Sequence, residues 1–296
     1  MPKVQIPATS ANIGAGFDSL GLAVSMYNYV SIEESEGLQI SSCDGVKIPT
    51  DETNLVYTCA KYIYDLCDRP FKGLSIAQTN NIPMARGLGS SSACIVGGLL
   101  GANSLLGQPM RTSDLVNIAA TMEGHPDNST PALLGGLCTA VLENGKVYYV
   151  KQEIAEDLRF VAIVPDFEIK TKFAREALPK EISHKDGVFN LSRAALMSVS
   201  LYSRNYQNLR IAADDRLHQP YRLPLINGAH ELLDFSYKHG AYASYISGSG
   251  STIMSIISSG NFEFEQTVRD YLKENGLDGW RVNVLSIDNT GARVML

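Results

Sequence analysis

Tyr27–Glu34 (YNYVSIEE) alternates along its length and is rich in β-branched and aromatic residues, which predicts a strand. Met1–Ile6 predicts a shorter strand, stopped by Pro7, with a loop over Ala8–Gly21. Leu55, Val56, Cys59, Ile63 and Leu66 recur at helical spacing, so Asn54–Cys67 predicts a helix. Gly73–Thr79 then reads as a strand, Asn80–Gly89 as a loop, and Ser90–Leu106 as an apolar, buried helix despite its glycines. A helix is expected over Ser113–Glu123, with Thr112 or Ser113 as N-cap. Gly124-His125-Pro126 should end it, because the residue before a proline is pushed out of the helical region. Leu137–Leu142 and Lys146–Val150 predict a hairpin around Glu143-Asn144-Gly145.

The second half opens on an apolar run, Leu158–Val164, expected as a buried strand. Helices are predicted near Asn190–Tyr206, Asn227–Lys238 and Glu263–Glu274, and strands at Ala243–Ile246, Thr252–Ile257, Arg281–Leu285 and Ala292–Leu296. Strands and helices mix without strict alternation, so the fold class is α+β rather than a doubly wound sheet. Residues 150–157 form the softest boundary.

Composition narrows the class. The chain has 296 residues, 45% of them hydrophobic and 19% charged, as in a soluble globular protein. A net charge of −6 argues against a broad basic face for nucleic acid. An anionic ligand would need a local site of backbone N–H groups, a metal or a few Arg and Lys side chains. The five cysteines are widely spaced with no CxxC pair, which suits reduced thiols in the cytoplasm rather than a disulfide framework or zinc site. The N-terminus has no apolar run of the signal-peptide kind. Ala93–Leu106 falls short of the ~20 residues that a membrane span needs.

The strongest chemical signal is Pro83–Ala93, PMARGLGSSSA, placed between a predicted strand and a predicted helix. A helix N-terminus offers free N–H groups and the positive end of the dipole to an anion. Gly87 and Gly89 would let phosphate oxygens approach the backbone, and Ser90, Ser91 and Ser92 could donate hydroxyls or ligate Mg²⁺. The loop lacks the lysine of GxxxxGK[ST] and the third glycine of a dinucleotide fingerprint, where Ser92 stands instead. Taken alone, it could also be a plain Gly/Ser turn capping a core helix.

Three further stretches accompany it: PATSANIGAGFDSLGLAV (Pro7–Val24), EGHPDN (Glu123–Asn128) and SGSGST (Ser247–Thr252). Together, in this order, they resemble the GHMP kinase superfamily. The resemblance is strongest to the homoserine kinase family, through GLGSSSA, EGHPDN, PALLGG (Pro131–Gly136), TKFAREALP (Thr171–Pro179) and DRLHQPYR (Asp215–Arg222). It covers nearly the full length, departing at Ser129-Thr130, where that family usually has Val-Ala.

The resemblance implies two α+β domains. Residues 1–153 would be the N-terminal ATP-binding domain, like domain 2 of ribosomal protein S5, and residues 154–296 a ferredoxin-like C-terminal domain. It implies ATP:L-homoserine phosphotransfer in threonine biosynthesis, with ATP and Mg²⁺ as cofactors. The loop residues Pro83, Met84, Ala85, Arg86, Gly87, Leu88, Gly89, Ser90, Ser91, Ser92 and Ala93 would hold the nucleotide, and Ser91 and Glu123 the metal. By the same resemblance, Arg175 and Arg222 match the arginines that bind the substrate carboxylate, and Asp18 matches a residue that would face its ammonium. Asn12 and Asn128 match positions near the reacting hydroxyl, and Thr171 would touch that hydroxyl or the γ-phosphate. His125 and Asp127 would line or brace the pocket, and Gly248 belongs to the third motif. Asn128 replaces the aspartate of mevalonate and galactose kinases, and an amide cannot accept a proton as a base does. Catalysis would then rest on positioning and electrostatics. The partners implied are small molecules, with no nucleic acid and no membrane, and a homodimer is left open. Competing readings are another kinase of the superfamily, acting on mevalonate or a sugar, and a non-catalytic sensor of ATP and a metabolite.

Overall fold

The structure, a computed structural model, describes residues 1–295. Two sheets organise the chain. The first begins with β1 (Lys3–Ala11) and β2 (Leu20–Glu34), paired antiparallel from Lys3 opposite Ser31 to Ala11 opposite Gly21. Pro7 does not stop β1, contrary to the sequence expectation. Between Pro7 and Ala8 the register jumps from Tyr27 to Val24, passing over Ser25 and Met26 of β2. A bulge is where a strand tolerates a residue without an N–H. Ser25 instead bonds through its backbone N–H to Ser286 O at 2.9 Å.

β3 (Gln39–Ser42), α1 (Leu55–Leu66), β4 (Leu74–Asn80), α2 (Ser90–Leu105), α3 (Thr112–Glu123), α4 (Ser129–Leu134) and the hairpin β5 (Leu137–Glu143)–β6 (Lys146–Gln152) complete the first half. Asn54 caps α1, accepting from Val56 N at 2.9 Å. The N-cap of α3 is Arg111 rather than Thr112 or Ser113, and the Asp114 side chain accepts from its N–H at 3.1 Å. β3, α4 and the first part of β2 have no counterpart in the sequence expectation.

The glycines of α2 have a packing role. A Cβ on Gly97 would lie 2.8 Å from Val30 Cγ2, one on Gly98 2.3 Å from Val56 O, and one on Gly101 2.8 Å from Ile32 Cγ2. Their bare backbone lets α2 press against β2 and α1, so the helix is buried nearly all round. This close packing fixes where its N-terminus points.

In the second half, β7 (Leu158–Val164) is followed by α5 (Thr171–Glu176), α6 (His184–Tyr202), α7 (Leu209–Ala212), α8 (Gln219–Arg222) and α9 (Ala229–Lys238). Then come β8 (Ala243–Ile246), β9 (Ile253–Ser258), α10 (Phe264–Glu274), β10 (Arg281–Leu285) and β11 (Arg293–Met295). α6 starts earlier than periodicity suggested because Ser183 caps it, accepting from Asp186 N at 3.1 Å. The short helices α5, α7 and α8 were not predicted. The second sheet runs β10-β7-β9-β8 and is antiparallel throughout, the strand order of a ferredoxin-like domain.

Side chains of β7 alternate between two cores. Phe160 and Ala162 join the large core shared with the first sheet, while Val161 and Ile163 join a smaller one with Leu232, Phe264 and Val268. This accounts for the unbroken apolar run Phe160–Val164 in the sequence. The chain's end crosses back, for β11 pairs with β1 and adds a seventh strand to the first sheet. The fold is therefore α+β, with two sheets joined through the larger of the two cores.

Candidate active site

Hydrogen bonds gather the separate motifs into one place. The loop before α2 is held from two sides. From the N-terminal motif, Thr9 N–H donates to Leu88 O at 3.1 Å. From the third motif, Thr252 N–H donates to Arg86 O at 3.1 Å and Ser247 Oγ to Gly87 O at 2.6 Å. The two outer motifs also join each other. Gly248 N–H donates to Ala11 O at 3.0 Å, Asn12 Nδ2 to Gly248 O at 2.8 Å, and Ser10 and Ser247 hydroxyls meet at 2.8 Å.

α2 opens into a cavity of about 350 Å³. Its N-cap, Gly89, supplies no side chain, so the first N–H groups of the helix remain available. Of the expected nucleotide loop, Ala85, Arg86, Gly87, Gly89, Ser90, Ser91 and Ser92 line the cavity. Leu88 and Ala93 are buried in the core, and Pro83 and Met84 line a separate hollow with Pro165 and Gly279. Arg86 turns its guanidinium to the second half, donating to Pro165 O at 3.0 Å and Asp166 O at 2.8 Å.

Glu123, at the end of α3, also lines the cavity. Its Oε1 accepts a short hydrogen bond from Ser92 Oγ, while its Oε2 is enclosed and has no partner. Burial pushes its pKa up to about 7. Ser92 is thus the serine in contact with Glu123, while Ser91, the expected metal ligand, is exposed at the cavity. An unpaired enclosed carboxylate oxygen beside serine hydroxyls at a helix N-terminus fits an oxygen-ligated divalent cation accompanying a polyphosphate.

The opposite wall carries a charge network. Arg175, from α5, grips Asp18 with both Nη atoms, at 3.0 and 2.8 Å. Arg222, in α8, is only 2% exposed and donates to Ala174 O at 3.2 Å and Gly248 O at 3.0 Å. Burial and the neighbouring Arg175 lower its pKa to about 10, which leaves it a cation at neutral pH. The Phe17 ring lies 5.3 Å from the Arg222 guanidinium and 5.5 Å from that of Arg175, so the cations share one aromatic surface. Phe17 was not among the expected residues, although it sits beside Asp18 in the first motif.

His218 supports this wall from behind. It is fully buried, and its Nε2 lies 2.8 Å from Gly14 O. Nε2 must therefore carry the proton, and Nδ1 faces Arg222 Nη1 at 3.4 Å. Asp215 anchors the segment. Its enclosed carboxylate accepts from Leu217 N, His218 N and Gln219 N at 2.9, 2.8 and 2.6 Å, and from Asn190 Nδ2 at 2.6 Å. Asp215→Ala would strand these donors, so we expect a loss of about 3–5 kcal/mol in urea unfolding, while Asp215→Asn, still an acceptor, loses less.

At the cavity floor, His125 Nδ1 lies 2.6 Å from Asp127 Oδ1. Burial alone would lower the imidazole pKa, but the bond to Asp127 and the charges of Asp127, Glu123 and Asp18 together more than reverse this, so the pKa is raised. Asp18, His125 and Asp127 bring their donor atoms within 4.8 Å of one another. With Asp18 engaged by Arg175 and Asp127 by His125, they form a charge network rather than a metal cage. Asn12, Asn128, Thr171 and Gly248 complete the lining, and Thr171 Oγ1 lies 3.3 Å from Ser249 Oγ. Every residue expected at the acceptor site faces this one cavity. No helix among the described residues is long and apolar enough to cross a membrane.

Compared with known families, residues 54–136 match the GHMP kinases N terminal domain and residues 197–277 the GHMP kinases C terminal domain. A homoserine kinase of Clostridium beijerinckii is 44% identical over 302 residues, covering 100% of this chain and 99% of the relative. One of Caldicellulosiruptor saccharolyticus is 45% identical over 99% of this chain and 96% of its own length. The crystal structure of homoserine kinase from Cytophaga hutchinsonii superposes with a TM-score of 0.89 at 29% identity, covering 99% of this chain and 97% of that one.

Proposed function

The chain belongs to the homoserine kinases of the GHMP kinase superfamily, and on that premise we propose how its cavity phosphorylates L-homoserine with ATP. The observation that carries the reading is the division of one cavity into two chemistries. One wall is a helix N-terminus with glycine backbone and serine hydroxyls, suited to phosphates. The other sets the Arg175–Asp18 pair beside Arg222, suited to a zwitterion. A homoserine carboxylate would take the guanidiniums and its ammonium would take Asp18, so the opposite charges now satisfied by each other would exchange for the substrate's own.

The reaction joins the homoserine side-chain oxygen to the γ-phosphorus as the bond from that phosphorus to the β-γ bridging oxygen breaks. ADP leaves, and the hydroxyl proton passes to a phosphate oxygen and then to solvent. No carboxylate stands at position 128, and Asn128 offers an amide instead. The chain's contribution is therefore placement and fixed dipoles: the N-terminus of α2 holds the phosphates, and Asn12 and Asn128 orient the acceptor hydroxyl. Glu123, with Ser92 beside it and Ser91 at the rim, would hold Mg²⁺, which supplies neutralisation of the phosphate charge when bound.

An ADP-release assay across homoserine, threonine, mevalonate and galactose tests the reading. The expected result is homoserine turnover at least ~10²-fold above mevalonate and galactose, because a site built to hydrogen-bond a ligand's polar groups rejects one that leaves them unpaired. Faster turnover of mevalonate or galactose would overturn the acceptor assignment. Nucleotide binding without transfer to any acceptor would overturn the kinase reading itself.

A further inference from the structure

The orientation of the Asn128 amide is fixed by a residue outside the cavity. Thr9 is fully buried in β1 and is not part of the cavity lining. Its Oγ1 donates to Asn128 Oδ1 at 2.8 Å. On the other side, Asn128 Nδ2 lies 3.5 Å from Asp127 Oδ1. A flipped amide would set its oxygen against the Asp127 carboxylate, so Asp127 selects this orientation and the Thr9 hydroxyl, donating to the carbonyl end, holds it. The carbonyl end of Asn128 is thereby turned to the wall, and the N–H end is the part left for a ligand.

We propose that Thr9 is a positioning residue for phosphoryl transfer: its hydroxyl locks the Asn128 amide so that an N–H meets the acceptor oxygen. This rests on the placement of the homoserine hydroxyl at Asn128. The consequence is chemical. An N–H donated to the acceptor oxygen occupies one of its lone pairs and directs the hydroxyl proton away from Asn128. A second lone pair stays free for the γ-phosphorus, and the proton is left facing the phosphate oxygens that receive it. A freely rotating amide would present its carbonyl oxygen part of the time, accept that proton in a hydrogen bond and hold the hydroxyl in an unproductive rotamer. Thr9 also bonds the phosphate loop, but only through its backbone N–H to Leu88 O. Its Oγ1 also lies against Gly89, where a Cβ would come within 2.0 Å of it, so the KM for ATP is the readout that separates the two roles.

Thr9→Val keeps the shape and the backbone bond and removes the hydroxyl. The expected result is a fall in kcat of ~10–100-fold, the range of a lost positioning contact, with the KM for ATP within about 2-fold of the native value. Thr9→Ser, which keeps the donor, should recover kcat to within about 3-fold. The double variant T9V/N128A should be no slower than N128A alone, because Thr9 acts through that amide. Unchanged kcat in Thr9→Val overturns the proposal, as does an effect that multiplies with N128A. A rise confined to the KM for ATP overturns it too, since Thr9 would then merely support the phosphate loop. Failure of the underlying reading looks different: Asn128→Ala would keep full homoserine turnover, whatever Thr9 does.

Discussion

Glu123→Gln should abolish most activity while making the protein more stable. The carboxylate is held by Ser92 through Oε1, but Oε2 is enclosed without a partner, and burial raises its pKa from 4.5 to about 7. At 1.36 kcal/mol for each pKa unit, this opposes folding by about 3 kcal/mol. The direction follows from the raised value. Below pH 4.5 the group is protonated whether folded or unfolded, and it has no effect. As pH rises toward 7 the unfolded chain ionises first, the folded state is penalised, and the penalty is complete above about 7. Gln keeps an oxygen for Ser92 and removes the charge. The variant should gain about 1–3 kcal/mol in urea unfolding at pH 8 and almost nothing at pH 4, some of the gain being offset by the unpaired amide. Its kcat should fall by ~10³-fold if this oxygen is a metal ligand. Stability gained against function lost marks a residue retained for chemistry. A variant that is less stable and still active would identify Glu123 as an ordinary structural group.

The second large effect is expected at Gly87, with Gly107 as its control. Both adopt left-handed backbone, at φ of 76° and 79°. Around Gly107 a Cβ would meet nothing within 4 Å, whereas on Gly87 it would lie 2.1 Å from Ser247 O. Gly107→Ala should therefore lose only the backbone strain, ~1 kcal/mol, and leave kinetics unchanged. Gly87→Ala adds a collision that neither side can relieve cheaply, because both atoms belong to backbone held by hydrogen bonds. The phosphate loop and the third motif must move apart, breaking the bonds at Gly87 O and Arg86 O. We expect a loss of ~2–4 kcal/mol in stability and ~10²-fold or more in kcat/KM for ATP, since misplacement by an ångström is costly in a positioned site. Equal kinetics for the two variants would show that this contact does not set the geometry of the phosphates.

Some of this architecture was legible from residues alone. The fold class, the hairpin β5–β6, the strands β7, β8 and β10 and the helix α2 follow local pattern, because alternation, helical spacing and turn residues act over a few neighbours. The motifs named the chemistry, and all nine residues assigned to the acceptor site and its reacting hydroxyl face one cavity. Other features depend on partners distant in sequence. Pro7 lies inside a strand because the bulge opposite it absorbs the missing N–H. β11 belongs to the first sheet because β1 offers it an edge.

The three serines Ser90–Ser92 show the limit most plainly. Three consecutive serines are identical letters, but on a helix neighbours point about 100° apart. Only the seating of α2 against β2 and α1, set by Gly97, Gly98 and Gly101, turns Ser92 toward Glu123 and leaves Ser91 exposed. Phe17, Thr9 and His218 went unassigned for the same reason: each is placed by a contact with a group far along the chain. The sequence by itself determined which chemical groups this protein possesses and the local elements that carry them. The tertiary structure decided which of those groups meet, because orientation across a cavity is set by packing between segments more than a hundred residues apart.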